Sequence, residues 1–169
     1  MEQQFTVRHS EKVDISAIRQ IYQQTPNYTN TLQLPYPSLD SWESFLGNKP
    51  DNFYSLVAQQ NGAIVGQLGM EVFKAPRRKH EANIGMAVSQ QWQGKGVGST
   101  LVKAALDLAH NWLAISRIEL EVYTDNDAAI SLYQKFGFTI EGTAKNYAFR
   151  DGKYVDVFLM ARVTPLTAD

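Results

Sequence analysis

The sequence predicts an α/β domain built on a mixed sheet with helices on both of its faces. Two dipeptides that favour tight turns, Asn61-Gly62 and Asp151-Gly152, each separate two apolar segments of strand length. Between these hairpins, the apolar segments 84–88 and 117–123 are each followed by a segment with helical spacing. The resulting order of hairpin, strand, helix, strand, helix and hairpin is typical of an α/β fold.

The first third of the chain is predicted to contribute one strand, two helices and the first hairpin. Residues 5–8 alternate between apolar and polar side chains, which indicates a strand. Asp14 and Ser38 can each cap a helix, because the segment after each carries apolar residues at helical spacing. Residues 53–59 and 63–73 then form the two strands of the hairpin.

The segment between these two helices is predicted to be an ordered loop. Residues 25–37 contain three prolines together with Asn, Thr and Tyr, a composition that favours turns. In an enzyme, such an aromatic loop would form a natural wall for an acceptor pocket. Tyr28 and Tyr36 are therefore candidate pocket residues, and both are equally compatible with packing roles.

A glycine-rich turn joins the strand at 84–88 to the next helix. Backbone N–H groups in the first turn of a helix lack intrahelical partners and lie at the positive end of its dipole, so this junction can bind an anion. Glycines at the junction let the anion approach closely. The helix that follows carries an apolar stripe at Leu101, Ala105, Leu108 and Trp112.

The spacing of the glycines distinguishes between three families of phosphate-binding loop. A Walker loop is excluded because Lys95 lies between the glycines and not behind the last one. A dinucleotide fingerprint is excluded because no glycine occupies its closing position in either register. The pattern that remains is Gln93-x-x-Gly96-x-Gly98.

The last third of the chain is predicted to form a strand, a helix and the second hairpin. Residues 117–123 alternate strictly, and Gly137 ends the helix that follows Asn126. Residues 138–149 and 153–161 form the final hairpin. Its aromatic side chains make it a candidate edge for a homodimer, namely Tyr147, Phe149, Tyr154 and Phe158.

The bulk composition limits the classes of function. The chain has 169 residues, which predicts one domain over 1–169. A net charge of -1 argues against nucleic acid or an anionic membrane as the main partner, since both require a concentrated basic surface. The chain has no cysteine, and its three histidines show no metal-ligand spacing. Because the sequence shows neither a signal-like segment nor a membrane span, we expect a cytoplasmic protein.

Two motifs resemble the signatures of the GNAT superfamily of N-acetyltransferases. The loop at 93–98 resembles its acyl-CoA pyrophosphate loop, and residues 126–138 resemble its second signature, N-x-x-A-x-x-x-Y-x-K-x-G-F. The segment from Gly137 to Met160 further resembles the bacterial branch that acetylates free amino acids and protein N-terminal amines. Because the element order agrees over essentially the whole chain, the resemblance implies a mostly antiparallel sheet of six to seven strands that splays at the acyl-CoA strand.

The resemblance also implies acetyl-CoA as the co-substrate and no metal. Met86, Ala87 and Val88 match the residues whose backbone binds the pantetheine arm in this family. The N–H group of Val88 would also donate to the thioester oxygen, and such a donor can stabilise an oxyanion by roughly 3 to 4 kcal/mol. Asn126 matches a residue that bonds the pantetheine arm, a role compatible with capping the next helix. The residues that would hold the pyrophosphate are Gln93, Gly94, Lys95, Gly96, Val97, Gly98 and Ser99.

Tyr133 matches the family's general acid, which protonates the departing CoA thiolate. A phenol pKa of about 10 lies above a thiol pKa of about 8.5, so proton donation is uphill unless it is concerted or the site lowers the phenol pKa. Glu81, at the head of the acyl-CoA strand, is the candidate base, acting through a water, and is also compatible with a surface role. Only a lysine-like amine requires a strong base, because an α-amine has a pKa near 7.8 and is partly neutral already.

Taken with the motifs, the resemblance predicts an acetyl-CoA-dependent N-acetyltransferase in which a primary amine attacks the thioester directly. The expected acceptor is an amino acid or another small α-amine. Protein N-terminal acetylation is the main enzymatic alternative. A CoA-binding sensor or interaction module without turnover is a second alternative, and the presence of Tyr133 argues against it.

Overall fold

The computed structural model describes residues 4–165, which form a seven-stranded sheet with helices on both faces. The strands are β1 (Thr6–His9), β2 (Phe53–Gln60), β3 (Ala63–Val72), β4 (Glu81–Val88), β5 (Arg117–Tyr123), β6 (Thr139–Arg150) and β7 (Lys153–Val163). The helices are α1 (Ile15–Gln23), α2 (Thr25–Thr29), α3 (Leu39–Gly47), α4 (Val97–Asp107) and α5 (Asp127–Lys135). The predicted α/β fold is confirmed.

The sheet opens between its two parallel strands. The strand order is β1-β2-β3-β4-β5-β7-β6, and every neighbouring pair is antiparallel except β4 and β5. β4 pairs with β3 along residues 82–88, whereas it pairs with β5 along residues 81–83. The two parallel strands therefore separate after Asn83, which confirms the predicted splay and creates the space for a site.

Both predicted hairpin turns are confirmed. Asn61 and Gly62 have φ angles of 49° and 82°, and Asp151 and Gly152 have φ angles of 49° and 78°. Positive φ at both central residues gives the turn type whose twist matches that of the paired strands.

Two clusters of buried side chains hold the helices against opposite faces of the sheet. Val57 of β2 packs with Ile18 of α1 and Trp42 of α3. Its neighbour Leu56 points to the other face, where it belongs to the cluster that buries Leu101 of α4. Since full burial of one large apolar side chain stabilises a fold by roughly 1.5–3 kcal/mol, these clusters fix the helices on either side of the opening.

The loop predicted between the first two helices contains a further helix, and this part of the prediction is wrong. Thr25–Thr29 form α2, with Pro26 in its first turn. Proline is tolerated there because the first N–H groups of a helix have no intrahelical acceptor. Ser38 caps α3 as predicted, since its Oγ accepts a hydrogen bond from the Ser41 N–H at 3.1 Å.

The apolar stripe predicted on α4 is wrong at its last position. Leu101 and Ala105 are buried, but Trp112 is 76% exposed. After α4 the backbone continues as a π-helical turn over Leu108–Trp112. Its wider hydrogen-bonded rings change the direction of the side chains, so a spacing of 3.6 residues no longer predicts the buried face.

Asp14 directly precedes α1, but its carboxylate does not cap that helix. The carboxylate instead accepts hydrogen bonds from Arg8 at 2.7 and 2.9 Å and from the Glu11 N–H at 2.8 Å. The Arg8 guanidinium holds the pKa of Asp14 below its usual range. Asp14 therefore connects β1 to the start of α1 by an ion pair.

Candidate active site

A cavity of about 610 Å³ lies where β4 and β5 separate. Two groups among its lining residues are named after the roles that the family resemblance implies for them. The acyl end is lined by Met86, Val88, Gln93, Gly94, Gly96, Gly98, Ser99, Asn126 and Tyr133. The acceptor end is lined by Tyr22, Trp42, Phe45, Phe53, Gly69, Glu71, Asn83, Gly85, Glu121 and Tyr147. These two names are used below for the two groups.

The last residues of β4 present backbone groups to the cavity. The Ser89 N–H donates to the carbonyl of Val65 in β3 at 2.9 Å. Because backbone groups alternate in direction along a strand, those of Val88 and Met86 point away from β3, into the gap beside β5. Ala87 lies between them and buries its side chain in the cluster formed by α1 and α3.

The carbonyl of Val88 is held by two side-chain amides. Asn27 Nδ2 donates to it at 2.9 Å, and Gln93 Nε2 donates to it at 3.2 Å. Gln93 Nε2 also lies 3.3 Å from Asn27 Oδ1. Gln93, predicted as a pyrophosphate ligand, thus directs its side chain to the end of β4. Asn27 is 5% exposed, and its role could not be predicted from the sequence because it lies in a segment expected to be a loop.

The glycine turn is shaped to receive an anion. Gly94 and Gly96 have φ angles of 71° and 90°, a region that residues with side chains rarely adopt. The Thr100 N–H donates to the carbonyl of Gly96 at 3.0 Å, and this is the first hydrogen bond of α4. The three preceding N–H groups, of residues 97–99, are therefore available to a phosphate.

Gly98 and Lys95 have defined neighbours beside this turn. A Cβ atom on Gly98 would lie 3.0 Å from Leu132 Cδ2 of α5 and 3.3 Å from Met86 Cε. Glycine at this position therefore allows α4 to lie close to both β4 and α5. The Lys95 Nζ is 5.1 Å from the ring centroid of Trp92, which keeps a positive charge next to the turn.

Tyr133 lines the cavity from α5 and is buried against Phe138, with ring centroids 5.6 Å apart. Burial raises the pKa of the Tyr133 phenol to about 12. The phenol is therefore a proton donor throughout the neutral pH range. Since the site does not lower this pKa, transfer of the proton to a thiolate must accompany the departure of the sulfur.

Asn126 lies at the N-terminus of the same helix and has a confirmed structural role. Its Oδ1 accepts a hydrogen bond from the Ala129 N–H at 3.3 Å and caps α5. The residue also lines the acyl end. Capping and contact with a ligand are therefore compatible at this position.

The two tyrosines predicted for the acceptor pocket do not line the cavity. Tyr36 is 95% exposed, and the Tyr28 Oη lies 3.4 Å from Thr25 Oγ1 on the surface of α2. Tyr28 lies outside the cavity because α2 directs Asn27 inward and the next side chain outward. The aromatic wall comes from other elements and consists of Tyr22, Trp42, Phe45 and Phe53.

Two glycines form the floor of the acceptor end. Gly69 of β3 and Gly85 of β4 lie directly opposite each other. Phe53 covers Gly69, where an added Cβ would lie 2.7 Å from its Cζ, whereas an added Cβ on Gly85 would have nothing within 4 Å. Glycine within an apolar strand is the sequence signal that could have identified this floor, because it often marks close approach of another molecule.

The predicted base Glu81 lies apart from the cavity lining. Its carboxylate accepts hydrogen bonds from Arg78 at 2.7 and 3.0 Å, and this pairing lowers the pKa of Glu81. The carboxylates that do line the cavity are Glu71 and Glu121. Strand alternation predicted a solvated position for Glu121 and gave no indication that the strands would separate beside it.

Within residues 4–165, no helix is long and apolar enough to cross a membrane. The same residues contain no cluster of three or more His, Cys, Asp or Glu side chains placed to hold a metal ion.

Residues 15–138 match the profile of the acetyltransferase (GNAT) family. The chain belongs to the GNAT family. Over 160 residues this GNAT protein is 46% identical to the L-amino acid N-acetyltransferase AaaT of Escherichia coli (strain K12), covering 95% of this chain and 98% of that protein. Over 128 residues it is 32% identical to the N-alpha-acetyltransferase RimI of Mycobacterium tuberculosis, covering 73% of this chain and 76% of RimI. This GNAT protein is therefore an N-acetyltransferase.

The fold of this GNAT protein is also close to solved structures. The spermidine N-acetyltransferase of Vibrio cholerae, solved in complex with CoA and spermine, superimposes with a TM-score of 0.86. The two chains are 26% identical, and the match covers 95% of this chain and 96% of that one.

Proposed function

We propose that this GNAT protein transfers the acetyl group of acetyl-CoA to the α-amine of an amino acid or of a closely related small molecule. The observation that carries the proposal is the cavity itself, which extends from the strand edge at Met86 and Val88 to an aromatic wall. AaaT, which shares 46% identity over nearly its whole length, carries the name of an L-amino acid N-acetyltransferase. Acetyl-CoA supplies the activated acetyl group.

The residues of the acyl end fit the parts of acetyl-CoA. We assign the diphosphate to the N–H groups of residues 97–99, beside the positive charge of Lys95. The pantetheine amides would pair with the strand edge at Met86 and Val88, as a further strand would. Asn126 would contact the same arm, while Gln93 and Asn27 keep the end of β4 in place.

In the proposed reaction, the neutral amine nitrogen attacks the thioester carbon directly. The C–N bond forms as the C–S bond breaks, with the Val88 N–H donating to the carbonyl oxygen. Tyr133 gives its proton to the departing sulfur, and the amine releases a proton to water, so the phenol is restored from solvent. The α-amine of an amide or a peptide has a pKa near 7.8 and is substantially neutral at neutral pH. The carboxylate of a free amino acid raises this pKa, so the rate with such an acceptor should increase with pH as the neutral amine fraction grows.

Two further features belong to the proposal. We propose that the protein works in the cytoplasm, with neither nucleic acid nor a membrane as its partner, since its net charge is -1. We also propose a homodimer through the last hairpin, where β6 is the edge strand and Phe149 and Tyr154 are exposed. Light scattering of the purified protein tests the dimer, and a monomer mass at all concentrations would contradict it.

A specific observation favours one alternative acceptor, the N-terminus of a protein. RimI, an N-alpha-acetyltransferase, is 32% identical over 128 residues. An N-terminal residue presents the same α-amine as an amino acid, but its carboxyl group is an amide. The two acceptors therefore differ in charge at one position, which an experiment can exploit.

The function is tested by measuring thiol release from acetyl-CoA with a panel of amino acids, short peptides, polyamines and aminoglycosides. We expect release that depends on α-amines, with N-acetyl product confirmed by mass spectrometry. Release with polyamines or aminoglycosides alone would contradict the proposed acceptor class. Tight acetyl-CoA binding without stimulation by any amine would favour a CoA-binding sensor instead.

A further inference from the structure

We propose that Glu71 and Glu121 make the acceptor end select against a free carboxylate, a preference that rests on the function proposed above. The favoured acceptors are then α-amines whose carboxyl group is neutral, such as amino-acid amides and the N-terminal residues of peptides. The matching free amino acids are poorer acceptors because their carboxylate is repelled.

The two glutamates lie next to the glycine floor, on the same face of three neighbouring strands. Glu71 of β3 is opposite Asn83 of β4, so their side chains leave the sheet on the same side. Asn83 Nδ2 donates to both carboxylate oxygens of Glu121 in β5, at 3.1 and 3.2 Å. This amide spans the start of the opening and holds one carboxylate beside the cavity without neutralising it.

The carboxylates immediately outside the cavity, unlike Glu71 and Glu121, are paired with arginines. Glu81, Glu119 and Glu141 each lie within 4.0 Å of a guanidinium, supplied by Arg78 and Arg117. In residues 4–165, by contrast, neither Glu71 nor Glu121 has a cationic group within that distance. Negative charge is therefore neutralised around the cavity and left uncompensated inside its acceptor end.

The described lining offers no cationic side chain to an anionic acceptor. Of the cavity-lining residues that the structure describes, none is lysine or arginine. The Asn83 amide already donates to Glu121. An acceptor carboxylate would thus meet two like charges and no cation, whereas an amide or a peptide bond would not. In a solvated cavity, one like charge at about 6 Å lowers affinity by about three- to tenfold.

The test uses matched pairs of acceptors that share a side chain and differ only at the carboxyl group, namely L-alanine, L-leucine and L-phenylalanine with their amides. The quantity compared is the ratio of kcat/KM for the amide to kcat/KM for the acid. A free carboxylate also raises the pKa of the amine, which favours the amide in any enzyme. The decisive result is therefore the change of this ratio between the wild type and the variants.

We expect Glu71→Gln and Glu121→Gln each to lower the ratio by about three- to tenfold, through better use of the free acid. Both side chains are exposed, so neither variant should affect folding. Glu141→Gln is the matched control, because it makes the same change in net charge at an arginine-paired site outside the cavity. Its ratio should equal that of the wild type. In the wild type, raising the salt concentration should also lower the ratio, since salt screens the repulsion.

The outcomes separate this inference from the proposed function. Unchanged ratios in Glu71→Gln and Glu121→Gln, with good turnover of acids and amides, would overturn the charge selection and leave the function standing. A change of the same size in Glu141→Gln would also overturn it, because net charge would then be the cause. No turnover with any acid or amide would overturn the proposed function and this inference together.

Discussion

The two ends of the cavity are built from different parts of the polypeptide. At the acyl end, the groups proposed to face the ligand are mostly backbone groups within one continuous stretch, 86–99, exposed by strand separation and by glycine. At the acceptor end, they are side chains from several elements, including Tyr22 of α1, Phe45 of α3 and Glu121 of β5. A backbone site depends on local conformation, whereas a side-chain site depends on how distant elements pack. Variants at the two ends should therefore change different kinetic constants.

The largest effect is expected for Tyr133→Phe, which removes a proton donor at the acyl end without changing the packing of the ring. We expect kcat to fall by about a hundredfold or more, because general acid catalysis contributes at least that factor. The affinity for acetyl-CoA should be unchanged, since the backbone contacts remain. Stopped-flow or thiol-release assays give kcat, and calorimetry gives the affinity. Wild-type turnover by this variant would exclude Tyr133 from the mechanism.

The pH dependence of kcat provides a second measurement on the same residue. Burial raises the pKa of Tyr133 to about 12, so the phenol keeps its proton at every pH below that value. We therefore expect no alkaline decrease of kcat up to about pH 10 from this group. An alkaline decrease near pH 9 that disappears in Tyr133→Phe would contradict the raised pKa.

The next effect concerns the acceptor end alone. Gly85→Val places a side chain on the open cavity floor, where an added Cβ has nothing within 4 Å. We expect the acceptor KM to rise by about tenfold or more, because one or two methyl groups in a binding pocket have effects of that size. Acetyl-CoA binding should not change. Steady-state kinetics with each substrate varied in turn separate the two constants.

Gly142→Val is the matched control for that experiment. Gly142 also lies in a strand with open space around an added Cβ, but it is not part of the cavity lining. Its acceptor KM should equal that of the wild type. If Gly85→Val impaired acetyl-CoA binding as strongly as acceptor binding, the division of the cavity into two ends would be wrong.

The contrast between the ends also explains how much of the site could be predicted from the sequence. The glycine pattern of 93–98 and the second motif at 126–138 specify local conformations, a turn and a capped helix, that a linear pattern can encode. The order of strands and helices along the chain follows from hairpin turns and helix spacing in the same way. These parts of the fold could therefore be predicted without the structure.

The acceptor end could not be predicted from the sequence in this way. Tyr28 and Tyr36 were reasonable candidates by composition, yet α2 turns Tyr28 away from the cavity, and Tyr36, which follows the end of α2, is 95% exposed. Glu121 alternates with buried residues, as any exposed strand residue does, and only the loss of pairing between β4 and β5 gives it a cavity to face. Such positions depend on contacts between elements far apart in sequence, which no single segment reveals.

Asn27 joins α2 to the last residue of β4, and its removal should weaken the binding of both substrates. Asn27→Ala deletes the partly buried hydrogen bond to the carbonyl of Val88, and loss of such a bond costs about 1 kcal/mol of stability. Because Val88 would also move, we expect KM to rise for acetyl-CoA and for the acceptor. Urea unfolding measures the free energy of unfolding. Asn48→Ala, at an exposed asparagine, is the control and should cost less than about 0.5 kcal/mol.

The smallest effect is expected for Glu81→Gln, because Glu81 belongs to neither end of the cavity. Arg78 holds the pKa of Glu81 below its usual range, which makes its carboxylate a weaker base, and the side chain does not line the cavity. We expect kcat/KM to change by less than about threefold between pH 6 and 9, with no loss of an acidic limb. A large decrease that matches the loss of an acidic limb would establish Glu81 as the base, acting through a water. Glu141→Gln, which breaks a comparable arginine pair, shows how much of any decrease comes from the ion pair alone.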